Sequence, residues 1–143
     1  MRPQDSVIPP SITVINPKFI LIGEDDRDDE DLLKEIFGSV DKSFTIRFIN
    51  NGQEVLSFLQ KLDEHLPCLI LLDYNMPVLN GAEILEILKQ DKRYDPIPKI
   101  IWSTSTSETF KKICLEAGAN EYVVKPSSMA ELSETIRYML SFC

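Results

Sequence analysis

The chain has 143 residues, of which 43% are hydrophobic and 27% are charged, and this predicts one soluble globular domain with an ordinary core. Its formal net charge of −8 argues against a nucleic-acid backbone as the main partner, because such partners are bound by clustered Lys and Arg. No apolar run approaches membrane-spanning length and no basic-then-apolar leader is present, so we expect a cytoplasmic protein that makes no use of a membrane. The three widely spaced cysteines, Cys68, Cys114 and Cys143, are expected to be reduced thiols.

In chain order, residues 1–17 are rich in proline and lack an apolar period, which predicts a flexible arm, and residues 18–143 form the domain. Five apolar stretches predict strands at residues 18–23, 44–49, 68–73, 99–103 and 121–124. An amphipathic helix is expected after each strand, with a capping box at Asn80 and Glu83, a C-terminal stop at Gly118 and a cap at Ser128. This alternation predicts a doubly wound α/β fold, a parallel sheet with helices on both faces.

Polar residues end four of these strands: Glu24 and Asp25, Asp73, Ser103, and Lys125. Because the carboxyl ends of parallel strands lie along one edge of the sheet, we expect these side chains to meet. Three neighbouring carboxylates repel one another unless a cation lies among them, and a hard ion such as Mg²⁺ suits an all-oxygen set. A hydroxyl and an ammonium opposite would hold an anion, which together fits phosphoryl transfer onto Asp73. Taken singly, Asp73 could as well begin a polar turn and Lys125 could be a solvated strand-end charge.

The motifs of the whole chain match one family in order: Glu24-Asp25, Asp73-Tyr74-Asn75-Met76-Pro77 with Gly81, Ser103, and Lys125-Pro126. Over roughly residues 18–142 the chain thereby resembles the receiver domain of two-component response regulators, in its stand-alone, chemotaxis-Y-like form. The resemblance implies a flavodoxin-like five-stranded parallel sheet of order 2-1-3-4-5. It also implies phosphorylation on an aspartate by the phosphohistidine of a sensor histidine kinase or phosphotransfer protein.

Carried over position by position, Asp73 resembles the phosphoacceptor, Asp25 a direct Mg²⁺ ligand, and Glu24 an acidic partner that acts through metal-bound water. Asn75 would lend its backbone carbonyl to the metal. Ser103 stands where the family places a hydroxyl that bonds the phosphoryl group.

Further roles follow from the same resemblance. Lys125 would pair with another phosphoryl oxygen, and the family pattern makes the Lys125–Pro126 peptide bond cis. Tyr122 resembles the aromatic residue that turns inward when Ser103 moves, although plain packing is the other interpretation. Asp26 is interpreted as a helix-start acid rather than a metal ligand, and Trp102, next to Ser103, is expected to report Mg²⁺ binding through its fluorescence.

The sequence therefore predicts a single-domain phosphorylation switch that is not an enzyme in the ordinary sense and only assists its own phosphorylation and dephosphorylation. Its fourth helix, fifth strand and fifth helix would signal to a protein partner, and homodimerisation through the last two helices stays open. Residues 45–59 also resemble small receivers paired with bacterial phytochromes or hybrid kinases. Two alternatives remain: an aspartyl-phosphate hydrolase of related fold, whose second aspartate is replaced here by Asn75, and a phosphorylation-independent binding module.

Overall fold

The computed structural model describes residues 18–41 and 43–143, so the arm predicted at residues 1–17 lies outside the described part of the chain. Within the described part, five parallel strands alternate with five α-helices, as the apolar pattern predicts. The strands are β1 (Phe19–Gly23), β2 (Thr45–Ile49), β3 (Leu69–Asp73), β4 (Lys99–Ser103) and β5 (Glu121–Val124). The helices are α1 (Arg27–Val40), α2 (Gly52–Lys61), α3 (Gly81–Leu88), α4 (Glu108–Ala117) and α5 (Met129–Leu140).

The strand order is β2-β1-β3-β4-β5, and every neighbouring pair is parallel. The flavodoxin-like order 2-1-3-4-5 is thus confirmed. β3 is central and all five of its residues are buried, which explains its unbroken run of apolar residues. β2 pairs only with β1 and is the edge strand that its alternating pattern predicts.

Two hydrophobic cores lie on the two faces of the sheet. Alternate residues of one strand point to opposite faces, so Ile70 and Leu72 of β3 pack under α2, α3 and α4, whereas Leu69 and Leu71 pack under α1 and α5. Trp102 belongs to the second core and is 2% exposed. This double burial fixes the register of the strands and therefore the position of the residues that follow their carboxyl ends.

The predicted helix signals are confirmed where the structure describes them. Asn80 and Glu83 form the reciprocal capping box of α3, and the Ser128 side chain accepts from the Glu131 N–H at the start of α5. Gly118 ends α4 with φ 118°, a left-handed conformation that glycine adopts without a Cβ clash. A 3₁₀ turn at Lys92–Tyr94 was not predicted.

The cysteines correct the expectation of three reduced thiols. The turn after α5 brings Cys143 back to the start of β3, where it forms a disulfide with Cys68 at a Cα–Cα distance of 5.2 Å. Two cysteines 75 residues apart give no sequence signal for this contact, because it depends on how α5 docks. Cys114 is free and buried, and burial raises the pKa of its thiol to about 11. Among the described residues, no helix combines the length and the apolar character that crossing a membrane requires.

Candidate functional site

The site is built on the carboxyl ends of β1, β3, β4 and β5, which the parallel sheet brings to one edge. One carboxylate oxygen from each of Glu24, Asp25 and Asp73 lies within 4.8 Å of the others. Glu24 is fully buried and Asp73 is 5% exposed, whereas Asp25 faces solvent. The three acids predicted as a metal set are therefore together, with an open side at Asp25.

The Asp73 carboxylate is held by a donor on each oxygen. Oδ1 accepts from the Asn75 backbone N–H at 2.9 Å, and Oδ2 accepts from the Lys125 ammonium at 2.8 Å. The backbone N–H of Tyr74 also donates to the Trp102 carbonyl, which keeps the start of the following loop against β4. The Asp73 side chain is thus fixed in orientation by these two donors.

The Lys125 ammonium is the centre of an ion-pair cluster. Besides Asp73 it contacts Asp29 Oδ2 at 2.9 Å and Glu24 Oε1 at 3.4 Å, and the Lys125 side chain is only 13% exposed. Burial acts to lower the Lys125 pKa, but the hydrogen bonds to Asp29 and Asp73 and the charges of Asp73 and Glu24 outweigh it. The pKa of Lys125 is therefore raised above its ordinary value and the ammonium stays charged.

Glu24 is an acid that is fully buried, so its charged form is disfavoured. Burial first, and then a hydrogen bond with Asp73 and the charge of that carboxylate, raise the pKa of Glu24 to about 8. Lys125 and the Asp26 backbone N–H oppose this rise without cancelling it. A proton on Glu24 relieves the repulsion in this pocket, and a cation in the same place would do so equally.

Ser103 lies at the buried end of β4, where its Oγ accepts from the Ser105 backbone N–H at 3.1 Å. The same pattern repeats along the loop: Ser105 Oγ accepts from the Ser107 N–H at 3.1 Å, and Ser107 Oγ caps α4 by accepting from the Phe110 N–H at 3.2 Å. We call these three residues, Ser103, Ser105 and Ser107, the serine ladder. It links the site to the start of α4.

Two aromatic residues lie near the ladder. Tyr122 is half-buried, and its hydroxyl donates to the Ser105 carbonyl at 2.8 Å. Tyr74, the residue after Asp73, stacks on Phe110 of α4 with ring centroids 5.0 Å apart. The first contact joins β5 to the loop before α4, and the second joins the residue after Asp73 to α4 itself. The switch role of Tyr122 stays a prediction.

The loop between β3 and α3 follows Asp73 directly and leads to the start of α3. Val78 has φ 74°, the one left-handed non-glycine residue in the described chain, and it is 73% exposed. Gly81 begins α3 against β4: a Cβ there would lie 2.7 Å from Ile101 Cδ1 and 3.2 Å from the Asp73 carbonyl oxygen. Glycine at position 81 thus lets α3 start directly behind the acidic cluster.

The structure decides two predictions next to the site, the isomer of the Lys125–Pro126 bond and the role of Asp26. The Lys125–Pro126 bond is trans, as are the other peptide bonds of the described residues, so the predicted cis bond is wrong. The trans form is the lower-energy isomer of a bond before proline. Asp26 caps α1 by accepting from the Asp29 N–H at 3.0 Å, which confirms its interpretation as a helix-start acid.

Asp29 is the site residue that the sequence interpretation missed. Its acidic side chain in the first turn of α1 is equally well explained as a helix-start acid, so the sequence gives no separate signal for its contact with Lys125. Asp29 lies in the first turn of α1 and not at the end of a strand, where parallel topology gathers side chains.

The comparisons with known proteins agree with this geometry. The family model of the response regulator receiver domain matches residues 20–137, and the chain belongs to that family. The response regulator Rcp1 of Synechocystis sp. is 30% identical over 130 residues, covering 88% of each chain.

Two solved structures have the same fold. The Mn²⁺-bound form of response regulator Rcp1 superposes with a TM-score of 0.75 at 30% identity, covering 88% of this chain and 94% of that one. The phosphorylated cyanobacterial phytochrome response regulator RcpA superposes with a TM-score of 0.79 at 26% identity, covering 90% and 97%. The acidic cluster of Glu24, Asp25 and Asp73 fits the divalent-cation site of such receivers.

Proposed function

We propose that this chain is a single-domain response regulator that accepts a phosphoryl group on Asp73 and switches its α4–β5–α5 surface toward a protein partner. The observation that carries the proposal is the Asp73 carboxylate itself. It lies within 4.8 Å of two further acids and in contact with a buried ammonium. As a signalling protein it would assist its own phosphorylation and dephosphorylation and turn over no other substrate.

The chemistry follows from the positions of the side chains. An Asp73 oxygen forms a bond to phosphorus while the phosphorus–nitrogen bond of a donor phosphohistidine breaks, and the electron pair leaves with the imidazole nitrogen. A Mg²⁺ held by Glu24, Asp25, Asp73 and the Asn75 carbonyl would neutralise charge on the transferred group. Lys125 would exchange its hydrogen bond with Asp73 for one to a phosphoryl oxygen. Such catalysis consists mainly of positioning and charge stabilisation.

The serine ladder supports a way in which phosphorylation of Asp73 would change the α4–β5–α5 surface. If the Ser103 hydroxyl turns to a phosphoryl oxygen, the Ser105 N–H loses its acceptor, and the loop that caps α4 must rearrange. Tyr122 is tied to this loop through the Ser105 carbonyl. The surface that would change already carries exposed apolar side chains on α4, β5 and α5: Phe110, Ile113, Val124 and Tyr138.

The partner on the input side is proposed to be a sensor histidine kinase or phosphotransfer protein. RcpA is described as a phytochrome response regulator, and this chain is similar to it over most of both lengths. We therefore propose a light-sensing or related hybrid kinase as the donor, with the protein acting in the cytoplasm. The net charge of −8 favours a protein rather than a nucleic acid on the output side.

The test is incubation with acetyl phosphate and Mg²⁺, read by intact mass. Wild type should gain the mass of one phosphoryl group, whereas Asp73→Asn should gain none, and chelation of the metal should abolish the reaction. Asp63→Asn, which changes the charge equally in the exposed segment before β3, should react as wild type does. Sustained turnover of a phosphoester without a stable adduct would favour a hydrolase. Absence of modification together with normal Mg²⁺ binding would favour a phosphorylation-independent binding module.

A further inference from the structure

The buried ammonium of Lys125 has one carboxylate partner that the proposed chemistry does not use. Its three N–H groups point to Asp73, Glu24 and Asp29, which gives each donor an acceptor. Glu24 and Asp73 also belong to the acidic cluster, and a metal ion and a phosphoryl group would draw on their oxygens. Asp29 lies outside that cluster.

The position of Asp29 is well fixed by its own element. Its backbone N–H is bonded to the capping carboxylate of Asp26 at 3.0 Å, which sets the first turn of α1. From there its side chain, one third exposed, reaches the residue that follows β5 in the chain, 96 positions away. The contact is therefore a fixed crosslink between the start of α1 and the end of β5.

We propose that Asp29 is a positioning residue for phosphoryl transfer, which holds the Lys125 ammonium in the site while its bond to Asp73 is exchanged for one to the phosphoryl group. The proposal rests on the function proposed above. During transfer, Lys125 must release Asp73 Oδ2, and Glu24 is engaged by the cation. The Asp29 contact at 2.9 Å is then the one that persists, so the ammonium pivots about it instead of moving into solvent.

The chain carries an internal reporter for this position. Trp102 is the sole tryptophan, and the Lys125 ammonium lies 4.8 Å from the centroid of its ring. A cation at that distance perturbs the indole, so the emission of Trp102 depends on where the ammonium is held. This readout needs neither metal nor phosphate.

The experiment compares Asp29→Asn with Asp28→Asn. Asp28 is the preceding residue in the same helix turn, is exposed, and is not among the carboxylates that contact Lys125, so it controls for the loss of one charge. Each variant is made with Lys125 present and with Lys125→Met. The rate of phosphorylation by acetyl phosphate with saturating Mg²⁺ and the metal-free Trp102 emission are both measured.

Asp29→Asn should slow phosphorylation about fivefold, the upper range for a partly exposed ion pair, whereas Asp28→Asn should stay within about twofold of wild type. In the Lys125→Met background, Asp29→Asn should have no further effect, because its role is exerted through the ammonium. The emission of Asp29→Asn should move toward that of Lys125→Met, and that of Asp28→Asn should not. Asp29→Ser serves in place of Asp29→Asn if urea unfolding shows that the latter is not folded.

Three results would overturn the positioning role: equal rates for the two single variants, faster phosphorylation of Asp29→Asn, or an equal loss in the Lys125→Met background. Failure of wild type to accept a phosphoryl group would instead refute the proposed function. In that case the emission comparison would still decide whether Asp29 holds the ammonium.

Discussion

Reduction of the Cys68–Cys143 disulfide is expected to lower the stability of the protein more than any single surface substitution. The crosslink ties the start of β3 to the turn after α5 across a sequence separation of 75 residues. In the chain-entropy description, opening a loop of that length stabilises the unfolded chain by about 4.5 kcal/mol at 25 °C. With a urea dependence of about 2 kcal/mol per molar, the unfolding midpoint should fall by about 2 M.

The assay is urea unfolding followed by the emission of Trp102, which is buried in the folded protein, with and without reductant. Cys143→Ser should unfold at the same midpoint in both conditions, close to that of reduced wild type. Cys114→Ser should lose some stability because its thiol is buried, yet should keep the full difference between oxidised and reduced samples. Thiol counting on the denatured oxidised protein should find one thiol.

Three free thiols in the oxidised sample would refute the pairing. A midpoint that does not change on full reduction would show that α5 and β3 are held together in the unfolded chain by other contacts, and the entropy argument would then be wrong for this protein.

Three further predictions concern the site and its loop. The pKa of Glu24 is raised from 4.5 to about 8 in the folded metal-free protein, so its protonated form is the one that the fold favours. The stability that protonated Glu24 gives is fully present below pH 4.5 and is lost as the pH rises through 8. Mg²⁺ affinity, measured by calorimetry, should rise up to about tenfold per pH unit over that interval, and Glu24→Gln should flatten the profile. Val78→Asn should raise the free energy of unfolding by about 1 kcal/mol in urea, because it relieves a left-handed β-branched residue that packs against little; a loss would contradict this. Gly81→Ala should lower the free energy of unfolding by about 1–3 kcal/mol because its Cβ meets Ile101. Gly38→Ala, with nothing within 4 Å of the new Cβ, should raise it by about 0.5 kcal/mol, and equal effects of the two alanines would refute the packing argument.

Much of the fold was predictable because local patterns and tertiary burial agree. The unbroken apolar run of β3 is buried on both faces, and the caps at Asn80 and Ser128 lie where the sequence places them. The 3₁₀ turn before β4 was missed because Tyr94, its one buried residue, lies among charged neighbours. A single apolar residue does not produce the apolar periodicity from which a helix is predicted.

For the site, too, the contacts set by strand topology were predictable, whereas those set by the orientation of helices were not. The acids and the lysine at strand ends were predictable, since parallel topology alone brings them to one edge. The Asp29–Lys125 contact was not, because it depends on the direction in which α1 leaves β1. The disulfide was missed for a similar reason, since the return of Cys143 to β3 requires the docked position of α5. Contacts that depend on how a whole helix is oriented produce no local sequence pattern from which they could be predicted.

The serine ladder has a thermodynamic consequence for regulation. Ser103, at the proposed phosphoryl site, and Ser107, at the start of α4, are joined by two successive backbone-to-hydroxyl hydrogen bonds, so a change at one end would affect the other. Linkage of binding free energies is reciprocal. If phosphorylation rearranges α4 as proposed, a target protein that binds the rearranged α4 more tightly would favour the phosphorylated form by the same factor at equilibrium. The output partner would then act on the phosphorylation equilibrium as well as respond to it.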